Sequence, residues 1–325
     1  MNSLEVYLRS FESYLDGHPF QGKPQSLTDA ANYIMHLGGK RLRPAMVLMS
    51  CNAFKSNFEE ALHAAMAIEV FHNFTLVHDD IMDAAPLRRG QATVHHKWNS
   101  STAILCGDLM MFEATMFLQK LPLDILNEAL TMFNTTAIEV CRGQQMDMLF
   151  ETRNDVSIEE YLEMISLKTS VLLGCSFYLG ALVGGAEKTN AEALYQFGKN
   201  LGVAFQLHDD ILDAFADDPI LFGKQIGGDI LSNKKTYLLL KALNLADAKQ
   251  LFELQFWLSN EPNDVNEKVQ SVKQLFQVTG AKKEAEAEQQ RYYSLALEAL
   301  EMVTMEEETK KEFSDFAAYV MHRKK

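Results

Sequence analysis

The stretch His78-Asp79-Asp80-Ile81-Met82-Asp83, followed shortly by Arg88-Arg89-Gly90, places three carboxylates beside two arginines. Apolar residues dominate positions 58 to 77 and predict a long helix that leads into it. If that helix reaches Asp83, then Asp79 and Asp83 are neighbours on one face, one turn apart. Carboxylates so close together repel one another unless cations lie between them, and hard oxygen ligands suit Mg²⁺. The alternative is an acidic, solvated helix surface.

A second copy of this hexapeptide favours the metal-binding interpretation. It stands at His208-Asp209-Asp210-Ile211-Leu212-Asp213, again late in a long helical pattern. Two helices with the same triad predict a cavity that holds several metal ions, whereas a solvated surface has no need of so close a copy. The predicted metal ligands are therefore Asp79, Asp80, Asp83, Asp209, Asp210 and Asp213.

Composition narrows the class of protein. The chain has 325 residues, of which 47% are hydrophobic, enough for a large core in one big domain or two. Its net charge of −14 argues against nucleic-acid binding and against general attraction to anionic membranes. Against that background, the basic clusters at Lys40-Arg41-x-Arg43 and Arg88-Arg89 stand out as local anion sites.

The cysteines and the apolar segments predict a cytoplasmic location. Four cysteines without C-x-x-C spacing, mostly in apolar helical patterns, suggest reduced core thiols. The first twenty residues have no unbroken apolar core, so no signal peptide is expected. The longest apolar stretch, residues 171 to 183, is about a dozen residues, too short to span a bilayer.

Nearly the whole chain has a helical pattern, and no strand-like alternation is present. Capping boxes are predicted at Ser56-x-x-Glu59, Ser157-x-x-Glu160 and Thr189-x-x-Glu192. Residues 217 to 233 form the one long irregular stretch, which in a compact helical protein is usually functional. No linker is evident, so we expect a single all-α domain over residues 1–325.

Several basic and polar residues are candidates for phosphate binding, each with a simpler explanation. Gly38-Gly39 before Lys40 and Arg43 allows a ligand to approach the backbone, or merely ends a helix. His72 lies two turns before Asp79 on the same face, although a helical histidine is more often structural. Lys168-Thr169 precedes an apolar run. The lysine there is a candidate for binding diphosphate, and the simpler explanation is that it extends its amine to solvent. Lys224 and Lys234 follow the second triad, in what is otherwise a surface loop.

Together these residues resemble the trans-isoprenyl diphosphate synthases, or polyprenyl synthetases. The resemblance covers residues 38 to 236 and keeps the order of the family's motifs. These are G-G-K-x-x-R (38–43), D-D-x-x-D with R-R-G (79–90), G-D (107–108), G-Q-x-x-D (143–147), K-T (168–169), F-Q-x-x-D-D-x-x-D (205–213) and G-K-x-x-G-x-D (223–229). Terpene cyclases share the first aspartate motif, but their second is typically N-D-x-x-S-x-x-x-E, so chain elongation is favoured over cyclisation.

The resemblance implies the isoprenoid synthase fold, a helical bundle of ten or more helices around a central cavity. It also implies a reaction in which an allylic diphosphate, held through about three Mg²⁺ ions, ionises and is attacked by isopentenyl diphosphate. The catalytic residues would be Asp79, Asp80, Asp83, Asp209, Asp210 and Lys168. The allylic diphosphate would be bound by Arg88, Lys168, Thr169, Gln206, Lys224 and Lys234, and isopentenyl diphosphate by Lys40, Arg43, His72 and Arg89.

The family pattern further implies a homodimer and a short product. Phe74 lies five residues before Asp79, Thr75 four before, and Phe71 eight before. In the family an aromatic residue five positions before the motif accompanies products near C20, and two adjacent aromatics accompany C15. The smaller Thr75 therefore favours C20, with C15 next. The alternatives are a non-catalytic subunit of a heteromeric synthase, which would be expected to lose motif residues, and a protein with purely structural metal sites.

Overall fold

The computed structural model describes residues 3–55, 57–216, 227–260 and 264–322, and these are almost entirely helical. The α-helices are α1 Ser3–Gly17, α2 Gln25–Met35, α3 Leu42–Asn52, α4 Leu62–Met82, α5 Val94–Lys97, α6 Ser100–Leu118, α7 Leu123–Thr152, α8 Ile158–Ile165, α9 Val171–Val183, α10 Lys188–Phe215, α11 Gly228–Leu231, α12 Tyr237–Leu245, α13 Ala248–Ser259, α14 Val265–Val278, α15 Ala281–Glu301 and α16 Glu307–His322. The predicted all-α class is confirmed.

The chain divides into two compact units. The first unit comprises Met1–Asn134 and Cys175–Leu194, and the second comprises Thr135–Gly174 and Tyr195–Lys325. Helices α7, α9 and α10 each supply residues to both units. The first aspartate triad therefore belongs to the first unit and the second triad to the second unit. A single domain over residues 1–325 stays a prediction.

In the first unit, α4 carries the first triad. It follows a 3₁₀ turn, Glu59–Ala61, whose first amide donates to the Asn57 side chain; Ser56, the predicted cap, lies outside the described residues. Helix α6 packs closely on α4, because a Cβ on Gly107 would lie 2.2 Å from the Nε2 of His78. That glycine leaves room for the imidazole of His78, the residue directly before the first aspartate triad.

In the second unit, α8 and α9 form one helical segment interrupted by a π-helical turn, Ser166–Ser170. The capping box at Ser157 and Glu160 is confirmed, with both of its hydrogen bonds present. The one predicted at Thr189 is wrong, since α10 begins one residue earlier, at Lys188. This π turn leaves no mark on the apolar periodicity, so the sequence pattern does not predict it.

A small hairpin connects the first triad to α5. Its strands are β1 Leu87–Arg88 and β2 Gln91–Ala92, paired antiparallel. Arg89 and Gly90 form the turn, with φ of 53° and 76°. The prediction of no strand is wrong at this point, because two-residue strands are too short to show alternation.

Two helical segments are long and apolar enough to cross a membrane by length and composition. One is Ser100–Leu118 and the other is Ile158–Val183. In the most apolar part of each segment, 39% of the residues are buried in the first and 78% in the second. The second is longer than the dozen residues predicted, because the helix continues through the π turn. Core helices of soluble proteins pass the same test, so neither segment by itself indicates a span.

Candidate functional site

Asp79 and Asp83 lie one turn apart, as predicted. Helix α4 ends at Met82, and the amide of Asp83 donates to the carbonyl of Asp79 at 2.8 Å, so the last turn is intact. Asp79 is half-buried and Asp83 is exposed. Both carboxylates are thus carried at the rim of the first unit, on the last turn of one helix.

Asp80, between them, has a different environment. Its side chain is only 1% exposed, and both of its oxygens accept from the Nε of Arg88, at 2.8 and 2.9 Å. The Nη2 of Arg88 lies 2.7 Å from Oδ1. Arg88, predicted to bind diphosphate, is therefore held by a carboxylate of the first motif, and the hairpin places it there.

Arginines surround His72 in the same unit. The Nη1 of Arg43 lies 3.2 Å from the Nε2 of His72. Desolvation, followed by the positive charges of Arg43, Arg89, Arg88 and Arg41, lowers the pKa of His72 well below its ordinary value. The imidazole is therefore neutral at pH 7, and because Arg43 is a donor, Nε2 accepts and Nδ1 carries the proton. Guanidinium groups suit an anion, and Arg43 and Arg89 are the candidates here, since Arg41 and Arg88 form ion pairs with Glu69 and Asp80.

The glycine pair before Lys40 provides room for one of these arginines. A Cβ on Gly39 would lie 2.8 Å from the Nη2 of Arg89, and Arg89 donates to the carbonyl of Gly38. Lys40 is exposed beside them. Gly39 has a φ of 136°, so a side chain there would be strained as well as obstructed.

Arg41, which the sequence pattern placed in a basic cluster with Lys40 and Arg43, has a structural role instead. Its guanidinium is buried, forms a 2.5 Å ion pair with Glu69 of α4 and donates to the carbonyl of Met35. The backbone at Arg41 is left-handed, with a φ of 50°. The pair joins the glycine loop to α4 and so fixes the position of its neighbours in the anion site. In the sequence, the one sign of this ion pair is Glu69, an acidic residue among apolar residues in the first half of α4.

In the second unit, Asp209 is half-buried, whereas Asp210 and Asp213 are buried. Asp210 accepts from the hydroxyl of Tyr161 and from the Nε2 of Gln206 at 3.2 Å. Burial and the charge of Asp229 raise the pKa of Asp210 to about 7, against the opposing effect of the Tyr161 hydrogen bond. Tyr161 was not singled out by sequence analysis.

The end of the loop after the second triad is hydrogen-bonded to Asp213. The amide of Asp229 donates to the Oδ1 of Asp213 at 3.0 Å, and the amide of Gly227 donates to its carbonyl at 2.7 Å. Lys234, shortly afterwards, is exposed, and its charge lowers the pKa of both Asp147 and Asp210. The remaining predicted lysine of this loop, Lys224, lies outside the described residues.

Lys168 and Thr169 lie in the π turn, and both are half-buried. The Nζ of Lys168 lies 2.7 Å from the Oδ2 of Asp147, the acidic residue of G-Q-x-x-D. Burial raises the pKa of Asp147, but the charges of Lys234 and Lys168 outweigh burial, so the pKa is lowered overall. Two of the predicted motifs are thereby brought together within the second unit.

The predicted chain-length residues form an aromatic group in the first unit. The ring of Phe71, fully buried, lies 5.4 Å from that of Phe74 and 5.3 Å from that of Phe133. Phe74 also meets the ring of His78 at 4.9 Å. Thr75 donates its hydroxyl to the carbonyl of His72 at 2.8 Å. Phe71 and Phe74 thus lie in contact along α4, before the first triad in the chain.

Magnesium fits the donor set. Among the described residues, no three acidic, histidine or cysteine side chains converge into a closed metal site. Mg²⁺ usually keeps several waters and binds one or two carboxylates together with substrate phosphates. In the first unit, Asp79 and Asp83 on one turn are open oxygen ligands of that kind, and in the second unit Asp209 is another.

Comparison with known proteins agrees with this chemistry. The family model described as polyprenyl synthetase matches residues 24–276. A geranylgeranyl diphosphate synthase of Methanosarcina mazei is 44% identical over 223 residues, 68% of each chain. A crystal structure of a geranylgeranyl pyrophosphate synthase is 44% identical and covers all of both chains with a TM-score of 0.94.

One solved relative contains the expected ligands. It is a geranylgeranyl pyrophosphate synthase from Corynebacterium glutamicum complexed with isoprenyl diphosphate and magnesium, 25% identical, with 99% of each chain covered and a TM-score of 0.84. The fold is therefore the predicted isoprenoid synthase fold. The described motif residues, the matched family model and these neighbours agree, and the chain belongs to the polyprenyl synthetase family.

Proposed function

We propose that this polyprenyl synthetase is a magnesium-dependent trans-prenyltransferase that joins isopentenyl diphosphate head-to-tail to allylic diphosphates. A C20 product is favoured and a C15 product is next. The observation that carries the proposal is the contact of Arg43 with His72 and of Arg89 with the Gly38–Gly39 pair, in the same unit as Asp79 and Asp83. A carboxylate pair for a cation and a guanidinium group for an anion suit a metal-bound diphosphate substrate.

Isopentenyl diphosphate is assigned to the arginine-rich side. Arg43, Arg89 and the exposed Lys40 donate charge-assisted hydrogen bonds to its phosphate oxygens. His72 adds a neutral donor through Nδ1, because its Nε2 accepts from Arg43. Gly38 and Gly39 lie beside these cations and leave space for the phosphate groups.

The allylic diphosphate is assigned to the aspartate side. This diphosphate accepts hydrogen bonds from Arg88, Lys168, Thr169, Gln206, Lys224 and Lys234. Mg²⁺, about three ions held by Asp79, Asp80, Asp83, Asp209, Asp210 and Asp213, would supply positive charge that stabilises the departing diphosphate. In the proposed pairing, Lys168 exchanges part of its contact with Asp147 for a phosphate oxygen as the substrate binds.

The chemistry needs no side-chain nucleophile. The allylic C–O bond breaks with its electron pair leaving on the diphosphate, and the double bond of isopentenyl diphosphate attacks the resulting cation. A proton is then lost from the adduct, which restores a double bond in the longer prenyl chain. Lysine and arginine charges stabilise the diphosphate in this step, and such electrostatic stabilisation is usually the largest catalytic contribution.

The test is product formation from defined substrates. The protein is incubated with Mg²⁺, isopentenyl diphosphate and each of the C5, C10 and C15 allylic diphosphates, and products are sized by chromatography. Asp79→Ala and Asp209→Ala are expected to lower turnover by several orders of magnitude. Glu253→Ala, an exposed carboxylate on α13, is the matched control. Near-normal activity of either aspartate variant would overturn the two-motif proposal.

A homodimer is proposed through α6. Four large apolar side chains of this helix, Ile104, Leu105, Phe112 and Met116, are exposed, and Phe112 is 70% exposed. Leu105, Phe112 and Met116 have i, i+7, i+11 spacing and so share one face of the helix, a stripe that a second copy of the chain covers. Phe112→Asp is expected to yield monomers by light scattering at micromolar concentration. Phe252→Asp, at a side chain 74% exposed on α13, should leave the dimer intact.

A cytoplasmic location is also proposed. All four cysteines are free, and Cys51, Cys106 and Cys175 are buried, which suits a reducing compartment. Cys141 is exposed, so the expectation of four core thiols is wrong for this residue. We expect the unfolded protein to refold to an active form under reducing conditions, without an oxidant.

A further inference from the structure

Asp210 is held by two donors that lie outside its D-D-x-x-D triad. Its side chain is 6% exposed, and its two oxygens have separate donors. Oδ2 accepts from the hydroxyl of Tyr161, a residue of α8 49 positions away, and Oδ1 accepts from Gln206, one turn back on α10. With both oxygens engaged and little exposure, the carboxylate has one preferred orientation.

The middle carboxylate of the first motif is held in a comparable way. Asp80 is buried, and both of its oxygens accept from Arg88. In each unit, therefore, the second aspartate of D-D-x-x-D is fixed from outside the motif, and the first is left half-buried. A buried carboxylate without such partners would be strongly destabilising.

The donor to Asp80 is a cation, Arg88, whereas the donor to Asp210 is a neutral phenol, Tyr161. Arg88 neutralises Asp80, whereas the Tyr161 phenol donates a hydrogen bond without adding positive charge. Asp229 already acts electrostatically on Asp210 in this unit. A neutral donor fixes the orientation of the Asp210 carboxylate without placing a positive charge beside it.

Tyr161 also connects two elements of the proposed site. It is seven residues, about two turns, before Lys168, which lies within the π turn that follows α8. Its hydrogen bond to Asp210 joins the segment that carries Lys168 to the helix that carries Asp209 and Asp213. The ring is 1% exposed, so packing holds the phenol in place.

We infer that Tyr161 is a positioning residue of the second aspartate motif, which holds Asp210 and thereby aligns Asp209 and Asp213 with Lys168 for binding a magnesium–diphosphate complex. The inference rests on the proposed function, since it assigns the second motif to metal binding. It concerns a residue that touches neither substrate nor metal and acts through Asp210. Supporting residues of this kind typically change metal affinity by about 10- to 100-fold when they are removed.

The test compares two tyrosine-to-phenylalanine variants. Tyr161→Phe keeps the buried ring and removes the donor. Tyr178→Phe removes an equivalent bond, since the Tyr178 hydroxyl donates to Glu128 at 2.5 Å in the first unit. For each protein we measure the melting temperature alone, the shift caused by Mg²⁺ with inorganic diphosphate, and the Mg²⁺ concentration for half-maximal activity.

For Tyr161→Phe we expect a half-saturating Mg²⁺ concentration about tenfold higher and a smaller ligand-induced shift, in addition to the lower ligand-free melting temperature that follows from leaving one oxygen of the buried Asp210 without its donor. Tyr178→Phe should keep the wild-type Mg²⁺ response. A wild-type Mg²⁺ response in Tyr161→Phe overturns the inference. If the wild-type protein itself shows no ligand-induced shift and no activity, it is the proposed function that fails.

A second comparison covers the case in which Tyr161→Phe folds poorly. Because the tyrosine acts through Asp210, adding Tyr161→Phe to Asp210→Asn should raise the Mg²⁺ requirement no further than Asp210→Asn alone. Fully multiplicative effects of the two changes would show that Tyr161 acts by another route, and would also overturn the inference.

Discussion

The ammonium group of Lys268, on α14, donates to the Oδ1 of Asn233 at 2.8 Å, and this lysine is buried. In the part of the chain that the structure describes, no carboxylate lies within ion-pair distance of it. Asn233 has a left-handed backbone with a φ of 52° and also donates to the carbonyl of Leu258. A buried cation with a neutral partner therefore supports the turn immediately before Lys234.

The first prediction concerns the pH dependence of stability at this lysine. Burial lowers the pKa of Lys268 in the folded protein below its ordinary value of 10.5. Below the lowered pKa the folded protein carries a charge that burial disfavours, and this loss of stability disappears as the pH rises from the lowered pKa to 10.5. The stability of the wild type relative to Lys268→Met should therefore rise as pH increases through that window. Thermal unfolding at a series of alkaline pH values measures this difference.

Lys273→Met, on the same helix, is the control for loss of a lysine. A constant difference between the wild type and Lys268→Met across the alkaline range would contradict the prediction.

A second prediction concerns the glycine of G-Q-x-x-D. A Cβ on Gly143 would lie 2.3 Å from the backbone nitrogen of Lys168, so α7 and the π turn are in backbone contact. Gly143→Ala should destabilise the protein by about 1–3 kcal/mol through overpacking and should weaken allylic substrate binding by displacing Lys168. Gly17→Ala, where an added Cβ meets no atom within 4 Å, should change neither property.

A third prediction separates the two substrates. Lys40→Ala and Arg43→Ala should mainly raise the KM for isopentenyl diphosphate, and Lys168→Ala mainly that for the allylic substrate. Each loss of a charge-assisted hydrogen bond costs roughly 1.5–3 kcal/mol, about ten- to hundredfold in apparent affinity. Steady-state kinetics with each substrate varied in turn gives the comparison, and equal effects of all three changes on both substrates would refute it.

A fourth prediction concerns product length. Phe74→Ala should lengthen the product by at least one C5 unit, because it opens space along α4 before the first triad. Phe71→Leu tests the deeper ring; leucine is chosen because full truncation of a buried phenylalanine costs about 3–5 kcal/mol. Phe58→Ala, which removes an aromatic ring before α4, is the control. The prediction fails if neither change, nor the pair together, yields a longer product by chromatography.

Sequence analysis identified those features of the fold that are local and periodic. The i,i+4 relation of Asp79 and Asp83 depends only on an unbroken helix, and α4 provides one. The capping box at Ser157 involves residues three apart and was found for the same reason. The repeated hexapeptide needed no structure to be recognised.

Pairings between distant residues could not be predicted. Arg41 and Glu69 are 28 positions apart, and Tyr161 and Asp210 are 49 apart, so nothing in a local pattern joins them. The Thr189 cap failed because one more residue, Lys188, fits the helix before it. Propensity and periodicity fix which residues share an element, whereas tertiary packing decides which elements exchange hydrogen bonds.

The π turn at Ser166–Ser170 has a consequence for engineering and for divergence. A π turn amounts to one extra residue accommodated within a helix, and each residue of an α-helix turns the chain by about 100°. Deleting one residue between Ile165 and Val171 would restore a regular helix and rotate Tyr161 away from Asp210. A loop tolerates such a length change, but this segment would lose the hydrogen bond even with every named side chain still present. We therefore expect the spacing between Tyr161 and Lys168 to be less free to vary than the identities of the residues between them.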